Sequence, residues 1–478
     1  MKEAIPVPDQ GWQIQPEAAR FVTELLDRAC DSSPWLAQLR RAMLEQTGTR
    51  LFDWVDHLAI PPHFLDPTET QSCNAMRALL SECGFQEQVL PVPTAGKLTA
   101  DESEGEHYWI QPEGIFPRIV SNLDVTRLRV VLKVESVSDF LVAQRLQDSL
   151  VEGSPGGRMQ KSLVLDEDDL EIHVVARNGW PLWRLPSDSP DTLLAAAYHR
   201  QRLQCRSRSY DQVTAFSDSL TRLRAAVEDL GPDWACCLHF DVERSYWQSR
   251  NRAARVQKHR QDRLGLGWAN HDHHTYRCSR AYFRHVIECL ETVGMRCRER
   301  FYAGEQAGWG AQVLEQPVVG IVVFADVDLQ PEELSGDFAH EGLAAQQQLG
   351  TVGLWCQLHG DSLFAAGLHH LECQFDFQSA REQLESDGIG NMKPFTDFQH
   401  LKQSFTEPEM WPVNDARLKA AVGVGALTEK QAEEIRGRGA IGSHLEVLER
   451  NDGFKGFNQT GISDIISKTD PRKVLGTH

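Results

Sequence analysis

No stretch of 18 apolar residues occurs in this 478-residue sequence, and its opening residues, Met1 to Gln13, lack the apolar core of a secretion signal. A membrane-crossing helix needs about 20 apolar residues, so neither a span nor a signal is expected and the cytoplasm is the default location. Cysteine is present without pattern: 11 residues, none in a C-x-x-C pair, with Cys236 and Cys237 adjacent. An odd, scattered set excludes a disulfide framework and a zinc knuckle as organising devices. Positive charge is in deficit, 49 Lys and Arg against 68 Asp and Glu, and the net charge of −19 repels nucleic-acid backbones. One segment dissents: Arg250, Arg252, Arg255, Lys258, Arg260 and Arg263 form a basic run whose single acid is Asp262. It reads as a solvated helix face on an acidic protein.

At 478 residues the chain exceeds one hydrophobic core, and 41% hydrophobic with 24% charged residues is ordinary for a globular protein. A weak internal repeat organises it. Trp54–Ile60, His273–Tyr276 and His370–Cys373 each read as a strand leading into an amphipathic helix. Those helices stop at Gly84, Gly294 and Gly388, where a left-handed residue is needed, with apolar Phe85, Met295 and Ile389 behind. A fourth strand, Leu128–Val134, leads to Phe140–Leu146 without the glycine stop. Glu171 with Arg177-Asn178-Gly179 echoes Glu446 with Arg450-Asn451-Asp452-Gly453, and Gln111-Pro112 echoes Gln316-Pro317. The expected fold is α+β: a helical cap over 1–49, a two-module half over 50–195, a helical bridge over 196–265 and a second two-module half over 266–478. Periodicity predicts helix over 16–46 and 192–231. Between Gly388 and Ile441 lies an insertion with Pro394, Pro408, Pro412 and a helical patch at 428–436, either a pocket wall or lid or a plain surface excursion.

Three strings carry metal-competent side chains in short β-like runs: Asp272-His273-His274-Thr275-Tyr276-Arg277, Gly367-Leu368-His369-His370, and His444-Leu445-Glu446-Val447-Leu448-Glu449-Arg450. Two imidazoles and one carboxylate on rigid strands are the ligand set of a non-heme Fe(II) site, which makes an enzyme the leading reading. His370 follows His273 by 97 residues and Glu446 follows His370 by 76, so only the fold can bring them together. On a strand, His273, Thr275 and Arg277 share one face while His274 and Tyr276 share the other. Arg277 stands about 13 Å from His273 along such a strand, close enough for one substrate to touch both. Its planar fork suits a carboxylate, the other reading being a structural ion pair.

Together these strings resemble the vicinal oxygen chelate superfamily, built from βαβββ modules, and the C-terminal half is similar to 4-hydroxyphenylpyruvate dioxygenase. Asp272-His273 matches that family's first ligand motif and Gly367-Leu368-His369-His370 its Gly-x-x-His, which selects His370 over His369. Glu446 to Arg450 matches its Glu-x-x-x-Arg, and Gly453 to Asn458 resembles its Gly-Phe-rich lead into a C-terminal helix. His273 to Arg277 also resembles the His-x-x-x-Arg of the 2-oxoadipate dioxygenase/decarboxylase group. The likeness covers roughly 200 residues. The helical N-terminus, the bridge and the insertion depart from it, and the family's aromatic-substrate residues have no counterpart here. The resemblance implies a non-heme Fe(II)-dependent dioxygenase with ligands His273, His370 and Glu446, acting on a 2-oxo acid and O₂ with oxidative decarboxylation. It also implies a metal-free N-terminal half. There His57 and Glu171 stand at the matching places, but the counterpart of His370 falls in Arg129-Val130-Val131. Glyoxalase-type members draw a carboxylate from each module, which would add Glu315 as a fourth ligand around Zn²⁺ or Ni²⁺ and imply lyase or isomerase chemistry. In the dioxygenase relatives a similar Glu-Pro string is not a ligand, and Glu315 then supports the catalytic site from outside the metal shell. A metal-free small-molecule binder on the same scaffold is the third reading. Neither a nucleic-acid nor a membrane partner is expected, and a homo-oligomer is left open.

Overall fold

The computed structural model describes residues 11–61, 74–90, 106–122, 124–208, 212–346, 348–458, 470 and 472. The helix expected over 16–46 is two helices, α1 (Pro16–Ser32) and α2 (Pro34–Thr47). Pro34 cannot donate into a running helix, and Ser33 caps the second, its Oγ accepting from the Leu36 amide at 3.4 Å. α2 stops at Gly48, φ +65°, where a Cβ would stand 2.6 Å from the Ala380 Cα, so only glycine lets this helix end dock.

The first sheet is built from β1 (Val55–Ala59), α3 (Asn74–Glu82), β2 (Gln86–Leu90), β3 (Glu106–Ile110) and β4 (Arg118–Val120), then β5 (Leu128–Lys133), α4 (Val137–Ala143), β6 (Met159–Asp166) and β7 (Leu170–Arg177). Four helices follow: α5 (Pro190–Gln204), α6 (Gln212–Leu230), α7 (Pro232–Ser249) and α8 (Arg252–Asp262). The second sheet comes from β8 (His271–Arg277), α9 (Phe283–Thr292), β9 (Arg296–Tyr302), β10 (Trp309–Gln316) and β11 (Ile321–Asp328). After α10 (Phe338–Glu341) and α11 (Thr351–His359) it continues through β12 (His370–Gln374), α12 (Phe377–Ser386), β13 (Thr396–Phe398), β14 (Leu401–Phe405), β15 (Glu409–Trp411), α13 (Asp415–Gly423), α14 (Glu429–Arg438) and β16 (Ala440–Arg450).

Among the described residues this is a seven-stranded sheet ordered β2-β3-β4-β1-β5-β7-β6 and a nine-stranded one ordered β13-β14-β16-β12-β8-β11-β10-β9 with β15 on β16. Mixed sheets and fourteen α-helices agree with the expected α+β class. The four strand-helix-strand runs are unequal, because only two strands follow α4. Within each sheet the two leading strands pair antiparallel, β1 with β5 and β8 with β12. Each leading strand also takes the last strand of its own run in parallel. Gly84, Gly294 and Gly388 take φ of +79°, +82° and +74°, and Phe85, Met295 and Ile389 behind them are buried, as the repeat predicts.

Strand alternation divides the second sheet by chemistry. Tyr276, Val323, Ala325, Leu371, Cys373, Leu445 and Val447 join the bridge helices and α9 in one apolar core. The opposite parity leaves His273, Thr275, Arg277, His370, Glu372, His444 and Glu446 on the other face, and all line one cavity. The basic run lies partly against solvent as expected, with Arg252, Arg255 and Arg263 exposed. Its other members are engaged: Arg250, just after α7, donates to the Ala365 and Ala366 carbonyls, and on α8 Lys258 pairs with Glu135 at 2.9 Å and Arg260 Nε donates to the Gln46 carbonyl at 3.1 Å. No helix among the described residues is long and apolar enough to cross a membrane, and their ten cysteines are unpaired.

Candidate metal centre and its cavity

β12 and β16 each carry His-x-Glu, and they pair in parallel with His370 opposite His444 and Glu372 opposite Glu446. β8 lies on the other side of β12, with Thr275 opposite His370. Four side chains therefore converge. His370 Nε2 stands 3.0 Å from Glu372 Oε1 and 3.4 Å from Glu446 Oε2, and His273 Nε2 meets Glu372 Oε2. Gln403 Nε2 donates to Glu446 Oε1 at 2.8 Å. All are buried, His370 the most accessible at 7%.

The segment leading into β12 is held from behind. Arg206 and Arg208 donate to the Leu363 and Phe364 carbonyls at 2.7 and 2.9 Å, Tyr246 Oη donates to the Ala365 carbonyl at 2.8 Å, and Arg250 reaches Ala366 at 2.8 Å. Gly367 then turns the chain at φ +69°, with the Tyr246 ring 2.7 Å from where a Cβ would be. This grip fixes where His369 and His370 enter the sheet.

His273 Nδ1 bonds Asp272 at 2.7 Å, and Asp272 is held by Arg450 Nε at 3.2 Å and Gln374 Nε2 at 3.1 Å. Burial works to raise the Asp272 carboxyl, but Arg450 and His273 outweigh it and keep it far below the usual range. Because Asp272 takes the Nδ1 hydrogen, the Nε2 lone pair of neutral His273 faces inward. Burial holds that imidazole down to about 4. The two glutamates go the other way: burial, then Glu446 and Asp272 beside it, push Glu372 up, and burial pushes Glu446 up as well.

This donor set fits a divalent cation. Two imidazoles and two carboxylates crowd together inside the protein, and burial raises both carboxyls above their ordinary range. The donor atoms fall into two groups that share Glu372, one with Asp272 and His273 and one with His370 and Glu446, and a cation would offset the crowded carboxylate charge. Mixed imidazole and carboxylate ligation suits Fe(II), Zn²⁺ and Ni²⁺ alike.

The cavity above the donors has a free volume of about 40 Å³, room for about three waters at ~10–15 Å³ each. Phe301, Phe324, Phe395, Phe405, Phe457 and Trp309 wall it. Phe395, Gln403 and Phe405 come from the 388–441 insertion, which therefore forms part of the pocket wall. Arg277 lines the same cavity, 2% exposed, with its Cζ 5.5 Å from the Trp355 ring and its Nε without a hydrogen-bond partner. Its register neighbour across β11 is Asp326, pushed up to about 8 by burial against the opposing pull of Arg277. A larger cleft of about 530 Å³ lies behind Asp272 and includes Gln374, Arg450 and Arg50. Arg50 there is committed to Asp53, Asn451 and the Arg450 carbonyl.

Glu315 shares a register row with His273, two strands away through Val322, and pairs with Arg298 at 3.0 Å and Lys455 at 3.8 Å. The further carboxylate beside His273 and His370 is Glu372, which the sequence signals only as His-x-Glu, repeated in β16. One expectation needs correction: Glu171 is not the counterpart of Glu446. Arg177 holds Asp56 as Arg450 holds Asp272, and Arg129 pairs with both Ala59 and Glu171 as His370 pairs with Thr275 and His444. In this alignment His173 stands for Glu446, Glu171 for His444, Arg129 for His370 and Val131 for Glu372. The N-terminal counterpart keeps His57 on Asp56 at 2.9 Å. Trp183 fills its centre, its ring 4.9 Å from His57 and 5.1 Å from His173.

No family model matches the sequence, and no curated protein matches it. Among solved structures, a mutant 4-hydroxymandelate synthase from Streptomyces coelicolor aligns over 89% of this chain and 98% of its own at 13% identity and TM-score 0.26. A proposed hydrolase from Shewanella frigidimarina NCIMB 400 aligns over 52% and 98% at 14% and 0.28. A xylose isomerase-like TIM barrel/4-hydroxyphenylpyruvate dioxygenase fusion protein aligns over 92% and 57% at 10% and 0.25. Likenesses this slight leave the site's own residues to carry its chemistry.

Proposed function

We propose that this chain is a metal-dependent enzyme of the non-heme Fe(II) dioxygenase type, acting on a small 2-oxo acid with oxidative decarboxylation. The observation that supports it is that His273, His370 and Glu446 line one aromatic-walled cavity, with Glu372 meeting both His273 and His370. These three would hold the metal, which when bound supplies adjacent positions for the 2-oxo acid and for O₂. Asp272, fixed by Arg450, keeps the His273 lone pair aimed at the centre, and Gln403 fixes Glu446. The phenylalanine wall gives the cavity an apolar lining, and Arg277 offers a guanidinium to an oxygen-bearing end of the substrate.

Glu372 favours a second reading. If it is a permanent ligand, the set is two imidazoles and two carboxylates, which suits Zn²⁺ or Ni²⁺ and a glyoxalase-type lyase or isomerase. Oxygen uptake separates the two: protein shown to hold iron should consume O₂ and release CO₂ in equal amounts with a 2-oxo acid. No uptake with any 2-oxo acid would remove the dioxygenase assignment.

A further inference from the structure

We propose that His369 and His444, with Arg277, form a subsite for the far end of the substrate, and that this end both donates and accepts a hydrogen bond, as a hydroxyl or carboxamide does. The proposal rests on the metal-bound 2-oxo acid proposed above. It starts from atoms that the fold leaves unsatisfied at the cavity wall. His369 is 1% exposed, and its Nδ1 lies 3.1 Å from the Gly442 carbonyl. A carbonyl only accepts, so Nδ1 carries the hydrogen and Nε2 of the neutral ring is a lone pair. That lone pair has no partner. His444 is also 1% exposed, with neither ring nitrogen partnered, and the neutral ring has one N–H and one lone pair to offer. The Arg277 Nε–H is the third unpartnered group. All three residues line the cavity that contains His273, His370 and Glu446.

Buried donors and acceptors without partners are destabilising, and native proteins keep few of them. The set is selective about what would satisfy it. A methyl end satisfies none of the three. A carboxylate accepts from Arg277 but leaves the His369 lone pair bare. A hydroxyl gives its hydrogen to His369 and accepts from Arg277 or His444. Position agrees: the His369 amide bonds the Thr275 carbonyl at 3.0 Å, one register step beyond His370. From His273 to Thr275 is two residues, a rise of roughly 7 Å, which a chain of four or five carbons spans once the aromatic wall gives way, since the cavity of about 40 Å³ is smaller than such a substrate. The His369 and His444 rings lie 4.7 Å apart by centroid and His444 lies 4.9 Å from His370, so the subsite adjoins the metal donors.

Anaerobic calorimetry on Fe(II)-loaded protein would test this with 5-hydroxy-2-oxopentanoate, 2-oxohexanoate and 2-oxoglutarate. The hydroxy acid should bind at least tenfold more tightly than the methyl-ended acid and more tightly than the dicarboxylate. His369→Leu and His444→Leu should reduce that preference toward unity with one iron per chain retained, while His444→Gln, which keeps a donor and an acceptor, should restore most of it. Equal affinity for the hydroxy and methyl acids, or a preference unchanged in the leucine variants, overturns the subsite while leaving the metal and 2-oxo acid assignment standing. Binding of no 2-oxo acid at all overturns both. Two metal ions per chain, falling to one in His444→Gln, would overturn the subsite in favour of a cation held by the three imidazoles of His369, His370 and His444.

Discussion

Glu243→Gln removes the carboxylate that Arg206 and Arg208 share at 2.5 and 2.6 Å. Glu243 and Arg206 are buried, so the variant leaves two guanidiniums without their counter-charge. Burial works to raise the Glu243 carboxyl, but Arg206 and Arg208 outweigh it and hold it down at about 2, against an ordinary 4.5. A difference of about 2.5 pH units corresponds to about 3 kcal/mol, which agrees with the ~3–5 kcal/mol expected for breaking a buried ion pair. Unfolding entropy of about 2 cal/mol/K per residue gives about 1 kcal/mol/K for a chain of this size, so Tm at pH 7 should fall by about 3 °C. The folded carboxyl lies below its unfolded value, so the stabilisation is complete above pH 4.5 and is lost as pH falls toward 2. Wild type and variant should therefore converge in acid. Because both arginines also hold the Leu363–Phe364 turn into β12, the variant should bind metal less tightly as well. Thermal unfolding from pH 7 down to 3 measures the effect. Equal Tm at pH 7, or a difference that persists undiminished at pH 3, would refute the reasoning.

Asp272→Asn should weaken metal affinity by about 10–100-fold without changing stoichiometry, since it disturbs the group orienting His273 rather than a ligand; competition with a chelator of known affinity would show it. Arg277→Lys should raise KM for an oxygen-ended 2-oxo acid more than it lowers kcat, because a point charge replaces a planar fork; steady-state oxygen uptake reads both. His57→Ala and His173→Ala should leave metal content unchanged, since Trp183 occupies the N-terminal counterpart of the site, and elemental analysis checks this.

His273, His370 and Glu446 stand out in the sequence because each sits in a short motif-bearing string, and the fold sets all three along one cavity. Glu372 was hidden because His-x-Glu within Leu371 and Cys373 looks like any half-buried strand. Its meaning depends on the parallel register of β12 on β16, which no local pattern encodes. The same holds for Glu171: spacing along β7 suggested one alignment, whereas the Asp56–Arg177 pair sets another, two residues away. The glycine stops were legible because a positive φ is a local demand. The basic run was legible as charge, but its partners are carbonyls and acids on distant segments, so its role in joining elements was not. The insertion after α12 could be delimited by its prolines, while the turning of Phe395, Gln403 and Phe405 into the cavity follows from the pairing of β14 with β16.

Metal content after purification without chelator tests the central claim most directly. Wild type should carry one iron per chain, and His273→Ala, His370→Ala and Glu446→Ala should each carry almost none, because the remaining donors cannot fix the coordination. Glu372→Gln should keep its iron if the ligand set is the three-residue one, and loss of metal there would move the protein to the four-donor class. Full iron occupancy in the Glu446→Ala protein would contradict the site altogether.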